Sequence, residues 1–279
     1  MLTADPQTGL GRIKELWWPG YLELVDQVGL STALDRLDEC MVAAQNNFME
    51  LAAQFANGRG QEIGSDPFRI AVNQFVKSNL GKMFERFCGV ALAYALERAD
   101  GRYCVQPFRN RELAQCKGLH KNDFRVEVKF GKKSEDRKLQ TPIDADLFAY
   151  NPTNDEDDIF LISVKSTLKD RFHNVPFWNL LRRAAVSCDP DLDDIQAVNI
   201  SLLEKVKYIA VCSDIAVEQP DFGTDAGARN LLQIDAVLLD CAYVTSSKAK
   251  GLPEGCDAQL SEVREHAFYR YSCFFDRLK

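Results

Sequence analysis

Between residues 13 and 57 apolar side chains return every three or four positions, the spacing of helices with one buried face. Pro19-Gly20 and Gly29 interrupt the pattern. A Gly-rich loop, NGRGQEIGSDP, follows. Asp66-Pro67 then has the form of a helix start, with proline at the first helical position. A long helical pattern covers about 67–98, with Gly81 inside it, and Asp100-Gly101 turns the chain. From there the period changes. Strand-like runs stand at 103–107 (YCVQP), 124–130 (FRVEVKF), 143–150 (IDADLFAY), 159–165 (IFLISVK), 207–213 (KYIAVCS) and 232–239 (LQIDAVLL), with a short one near 268–275. One further helix fits 173–187. A helical front followed by a mixed sheet with an interposed helix predicts an α/β or mixed α+β architecture. It divides into a helical N-terminal region, 1–65, and a core, 66–279.

The chain has 279 residues and is 46% hydrophobic, enough for a large core in one domain or two closely packed ones. The opening MLTADPQTGL lacks the basic-then-apolar layout of a signal peptide, and no apolar run approaches a membrane span. Nine cysteines are scattered, at 40, 88, 104, 116, 188, 212, 241, 256 and 273, without a CxxC pair. With only three histidines, no zinc site is expected. The odd cysteine count and the missing signal predict reduced, structural thiols in a cytoplasm. A net charge of −7 argues against a non-specific nucleic-acid binder but leaves a site-specific one open, because the local field decides. Two stretches are locally basic: Lys129 to Lys138, and Lys165 to Arg183. The second carries Lys165, Lys169, Arg171, Arg182 and Arg183 against Asp170 alone. Solvated faces have the same composition.

Candidate chemistry gathers around the run at 143–165. Period two puts Asp144 and Asp146 on one strand face, opposite Ile143, Ala145 and Leu147. The turn-rich NPTNDEDD and the strand ending at Lys165 complete an antiparallel hairpin. An aspartate on its first strand can sit beside Ser163 and Lys165 on the second. A carboxylate and a lysine so placed suit metal-assisted phosphodiester hydrolysis. The carboxylate holds a hard cation such as Mg²⁺, and the lysine orients or deprotonates water and counters charge at phosphorus. The same pair also describes a surface ion bridge. A second ExK, Glu127 and Lys129 in FRVEVKFGKK, is an alternative centre, although no clearly placed aspartate precedes it. Just beyond Lys165 stands the triplet Lys169-Asp170-Arg171. Lys and Arg can donate to guanine O6 and N7, and Asp can accept from the cytosine amino group. An ordinary helix N-terminus would also tolerate Asp170.

The stretch VKSTLKDRFHN resembles the signature of type II restriction endonucleases of the PD-(D/E)XK superfamily that cut sites with a CCGG, CCNGG or CCWGG core. In that group an R/K-(D/E)-R element follows the catalytic lysine. NLGKMFERF is similar to the group's Gly-x-x-Phe-Glu helix, and IDADLFAY to the strand carrying its aspartate; LQIDAVLL is loosely similar to a late strand. The resemblance spans roughly residues 78–240. It implies a restriction-endonuclease-like central mixed sheet flanked by helices, and Mg²⁺-dependent cleavage of double-stranded DNA. It also implies a homodimer on a palindromic site and a cognate DNA methyltransferase as functional companion. By position, Asp146 would be the first metal ligand (Asp144 in reserve), Lys165 the catalytic lysine and Glu85 a second acid. Lys169, Asp170 and Arg171 would read C:G pairs. Arg182 and Arg183, farther along the helix, are expected to meet phosphate. One departure stands out: the acid usual two residues before the lysine is here Ser163. No acid occurs between Asp170 and Asp189 to replace it, and position 179 is Asn179. That leaves Glu85 as the candidate compensating acid. Two rival readings remain open: a structure-specific repair or junction nuclease of the same fold, and a non-catalytic DNA-binding module.

Overall fold

In the computed structural model, residues 16–130, 137–165, 174–187, 194–213, 236–249, 251–253, 256 and 266–279 are described. The helical front is α1 (Trp18–Val28), α2 (Leu30–Leu34), α3 (Leu37–Ala43) and α4 (Gln45–Gly58), followed by the long α5 (Asp66–Arg98). Pro19 lies in the first turn of α1, where its missing N–H costs nothing. Gly29, at φ 82°, separates α1 from α2. Ser65 caps α5 by accepting the Phe68 N–H at 3.2 Å, with Pro67 in the first turn.

The chain continues through β1 (Cys104–Pro107), α6 (Asn110–Lys117), β2 (Arg125–Phe130), β3 (Arg137–Pro142), β4 (Leu147–Tyr150) and β5 (Ile159–Lys165). Then come α7 (Asn174–Val186), β6 (Ile195–Ala197), α8 (Ile200–Lys205), β7 (Val206–Cys212), β8 (Cys241–Val244), β9 (Tyr269–Arg270) and α9 (Tyr271–Leu278). Six strands form the central sheet in the order β1-β4-β5-β7-β8-β9. The pairings of β1 with β4 and of β4 with β5 are antiparallel; those from β5 to β9 are parallel. A second sheet, β3-β2-β6, is antiparallel throughout. The architecture is therefore mixed α+β, a central mixed sheet flanked by helices.

Alternate residues of the central strands enter two different cores. Phe160, Ile162 and Val164 join α5 residues such as Phe84 and Phe87, whereas Ile159 and Leu161 join Phe108, Phe124 and Tyr208. Cover on both faces is why the strands read as nearly continuous apolar runs rather than alternating ones. The N-terminal helices are built into the first of these cores through Trp17, Tyr21, Leu34 and Leu37. Polar ties add to this: the Thr245 hydroxyl donates to Leu34 O at 2.6 Å, and Asp35 accepts both the N–H and the hydroxyl of Ser272 at 2.8 Å. Within the helical front, predicted as a region 1–65, residues from Trp17 to Ala56 thus share an apolar interior with α5 and the sheet.

Several elements differ from expectation. The predicted strand 143–150 begins only at Leu147; before it, the backbone follows single bonds, from Ile143 N–H to Phe124 O and from Asp146 N–H to Ile162 O, each 3.0 Å. In the predicted strand 232–239, residues 236–239 form a turn, and the strand is Cys241–Val244 instead. Asp240 in that turn clamps Tyr208, accepting its N–H and donating to its carbonyl oxygen, which sets the β7–β8 register. The predicted strand near 268–275 is two residues long and then becomes α9. Tyr271, Phe274, Phe275 and Leu278 recur there at helical spacing. The short α6, α8, β3 and β6 were not anticipated. Cys256 and Cys273 form a disulfide, which corrects the expectation of nine reduced thiols: α9 brings their Cα atoms to 5.0 Å. Cys40, Cys88, Cys104 and Cys116 are free thiols, and Cys188 lies outside the described residues. Among the described residues no helix is long and apolar enough to cross a membrane.

Candidate active site

The strand β4 runs opposite to β5, so the residue that enters β4 lies beside the end of β5. The register Leu147↔Ile162 brings Asp146 next to Ser163. The Asp146 carboxylate then takes the place of a ladder partner. Its Oδ2 accepts the Val164 N–H at 2.7 Å, the Lys165 ammonium at 3.1 Å and the Ser163 hydroxyl at 3.4 Å. The Asp146 and Lys165 side chains are each about one-fifth exposed, so the pair is sheltered but reachable from solvent.

Glu85 arrives from the other layer. It sits on α5 one turn before Gly89, and that glycine lets the helix approach β4. A Cβ at position 89 would stand 2.9 Å from Leu147 Cδ2, closer than real contacts allow. Burial first, and the Asp146 charge second, push the Glu85 carboxyl up to about 7; Lys165, Lys82 and Arg86 pull the other way. Two carboxylates and one lysine thus share one electrostatic neighbourhood at the end of the β4–β5 pair.

The structure brings together Asp146, Ser163, Lys165 and Glu85. Asp144 is exposed, and what it contributes inward is its backbone carbonyl, which accepts the Tyr208 hydroxyl at 2.5 Å. The alternative centre at Glu127 and Lys129 lies on β2 in the second sheet. Glu127 accepts a hydrogen bond from Gln140 at 3.0 Å and pairs with Lys138 at 3.1 Å, and these contacts hold its carboxyl below the ordinary range. No aspartate from a preceding strand joins it among the described residues. Lys169, Asp170 and Arg171 lie outside the described residues. Arg182 contradicts the expectation of a phosphate contact, because it is 5% exposed and fully engaged. Its guanidinium donates to Asn179 Oδ1 at 2.9 Å, Leu203 O at 3.3 Å and Asp240 Oδ2 at 2.9 Å. The apolar stripe of α7 faces the core, and position 182 falls on it. Arg183, the next residue round the helix, is exposed.

No protein-family model matches the chain, and no curated protein matches it. Among solved structures it is similar to a complex of the restriction endonuclease PspGI with substrate DNA. The TM-score is 0.48 and the identity 14%, over 96% of this chain and 89% of that one.

Sequence reading missed Tyr208. It is 1% exposed on β7, touches the segment that carries Asp146, and is held protonated by its burial. The available signal was a lone phenol in an otherwise aliphatic strand, KYIAVCS, whose hydroxyl must find a partner inside.

Proposed function

We propose that this chain is a type II restriction endonuclease of the PD-(D/E)XK kind, cleaving double-stranded DNA with Mg²⁺ at a palindromic site with a C:G-rich core. The observation that carries the reading is the 3.1 Å contact of Lys165 Nζ with Asp146 Oδ2 across the β4–β5 edge, with the Glu85 carboxyl close enough to feel the same charge. The donors fit a hard cation: both are carboxylates. Glu85 gives up its proton only at about 7, because burial first and the Asp146 charge second oppose its ionisation by more than Lys165, Lys82 and Arg86 favour it. Asp146 and Glu85 would hold the ion, and two carboxylates are a usual protein share of a Mg²⁺ shell that phosphate and water complete. When bound, the ion polarises the phosphate and makes water a better nucleophile. Lys165 supplies a positive donor where negative charge grows on the phosphoryl oxygens. The Asp146 carboxylate fixes the ammonium, so its position does not have to be found during the reaction. Ser163, neutral where the family has an acid, leaves Glu85 to supply the second negative charge.

A palindrome demands a two-fold protein, so the reading includes a homodimer on DNA. Lys169, Asp170 and Arg171, a few residues past Lys165, would read the C:G pairs, and a companion methyltransferase would protect host sites. The test is digestion of sequenced plasmid DNA with Mg²⁺, followed by mapping of the ends. Discrete fragments ending at one C:G-rich palindrome are expected. A smear, or cutting at branched junctions alone, would point to a structure-specific nuclease of the same fold; no divalent-dependent cutting would leave a DNA-binding module.

A further inference from the structure

The segment bearing Asp146 has little regular structure of its own. Residues 143–146 precede β4 and make one backbone–backbone bond to β5, from Asp146 N–H to Ile162 O at 3.0 Å. The Asp146 carboxylate nevertheless has to meet Val164, Ser163 and Lys165 together. Two fixed points hold it from the sheet side. The Tyr208 hydroxyl donates to Asp144 O at 2.5 Å, and the Ser163 hydroxyl lies between the phenol and Asp146 Oδ2. Tyr208 is itself clamped. Its N–H reaches Asp240 Oδ2 at 2.6 Å, and that carboxylate is held by the buried Arg182 at 2.9 Å.

We infer that Tyr208 is a positioning residue for the proposed cleavage: through Asp144 and Ser163 it fixes where the Asp146 carboxylate points. The inference rests on the nuclease reading above. It assigns work to a buried phenol, and through it to Arg182, that the catalytic set does not include. The phenol is 1% exposed and so out of reach of a bound duplex, and its loss should change the rate of cleavage and not the affinity for DNA.

The experiment is single-turnover cleavage of plasmid DNA with Mg²⁺, alongside DNA-binding affinity without the ion and thermal unfolding. The variants are Tyr208→Phe, Lys165→Ala and Tyr21→Phe. Tyr21 supplies the comparison: it is a second buried phenol bonded to a carbonyl, Ala91 O at 3.2 Å, outside the site. Tyr208→Phe should slow cleavage roughly tenfold to hundredfold, the scale of a small misplacement of a reacting group, with DNA affinity unchanged and a raised Mg²⁺ requirement. Tyr21→Phe should lose similar stability and cleave at the wild-type rate. If Lys165→Ala is inactive while Tyr208→Phe cleaves normally, the positioning role is overturned and the nuclease reading stands. If Lys165→Ala retains activity, the reading itself falls. Equal slowing by both phenylalanines would mean general loosening and would also overturn the inference. Should Tyr208→Phe fail to fold, Ser163→Ala decides, because it removes the bridging hydroxyl without opening the core: a wild-type rate there refutes the role.

Discussion

Replacing Glu85 with glutamine should stabilise the metal-free protein while impairing cleavage. The Glu85 carboxyl stands at about 7 against an ordinary 4.5, because burial and the neighbouring Asp146 both oppose its charge. The folded state therefore holds a proton that the unfolded state releases between those two values. By linkage, stability falls as pH rises through that window and stays reduced above about 7. At about 1.4 kcal/mol per tenfold, the full effect would be roughly 3 kcal/mol. The side chain is only partly buried, and screening reduces this to about 1–2 kcal/mol. Glutamine carries no charge, so Glu85→Gln should recover that amount at pH 8 and progressively less toward pH 4.5. With an unfolding entropy of about 2.1 cal/mol/K per residue over 279 residues, the gain corresponds to a Tm rise of about 2–3 °C. Mg²⁺ should reverse the ranking, because an ion bound by Asp146 and Glu85 favours the wild type through its affinity for the folded state. Thermal unfolding of both proteins at pH 5 and pH 8, in chelator and in Mg²⁺, measures all of this. A glutamine variant no more stable than wild type at pH 8 in chelator would refute the electrostatic account. An Mg²⁺ shift equal in the two proteins would remove Glu85 from the ion's ligands.

Lys165→Ala should abolish plasmid cleavage and keep specific DNA binding, since in the proposed reaction the ammonium acts on the transition state while affinity comes from phosphate and base contacts. Asp146→Ala should be equally inactive and poorly rescued by excess Mg²⁺, as activity titrations will show. Arg182→Ala should cost about 3–5 kcal/mol in urea unfolding, because it leaves the Asp240 carboxylate without its buried partner. Arg183→Ala should leave stability nearly unchanged and weaken binding to all sequences alike, flattening the salt dependence. Arg171→Ala should reduce specific binding by roughly 1–3 kcal/mol and narrow the gap between cognate and scrambled duplexes in gel shifts. Equal loss on both would make Lys169-Asp170-Arg171 a phosphate clamp.

How much of this was legible depended on how local the cause was. The strand 159–165 and the long helix at 66–98 follow from runs and caps within one segment, and both stand where the sequence predicts them. The pairing of Asp146 with Ser163 and Lys165 needed only hairpin register, which hydrophobic patterning and a short connection supply. Arg182 was misread because its neighbour in sequence, Arg183, has the same chemistry. Only the packing of α7 separates a buried guanidinium from an exposed one. The Asp240 turn read as strand because Leu238 and Leu239 look like core, while the carboxylate that clamps Tyr208 is recognisable only once β7 is beside it. The closeness of Glu85 to Asp146 was open for the same reason, since it depends on Gly89 meeting Leu147 across a layer.

The sheet's direction also bears on how an acidic chain could take the proposed DNA substrate. Asp155, Glu156, Asp157 and Asp158 crowd the turn between β4 and β5, at the end of the hairpin opposite Lys165. Much of that charge is matched locally: Lys117 pairs with Asp155 at 2.5 Å, Lys205 with Glu156 at 2.8 Å, and Lys207 and Arg277 approach Asp158 at 3.8 and 3.9 Å. Six residue steps along β5 at about 3.3 Å each separate this turn from Lys165 by roughly 20 Å. That exceeds the Debye length of about 8 Å at physiological salt, so the acidic turn contributes little to the field at the proposed cleavage end. What a phosphate would meet there is Lys165 beside the Asp146 and Glu85 carboxylates, with the exposed Lys82 and Arg86 of α5 near enough to act on Glu85. The net charge of −7 describes the whole chain; the antiparallel turn of β4 into β5 keeps this one acidic cluster at the far end.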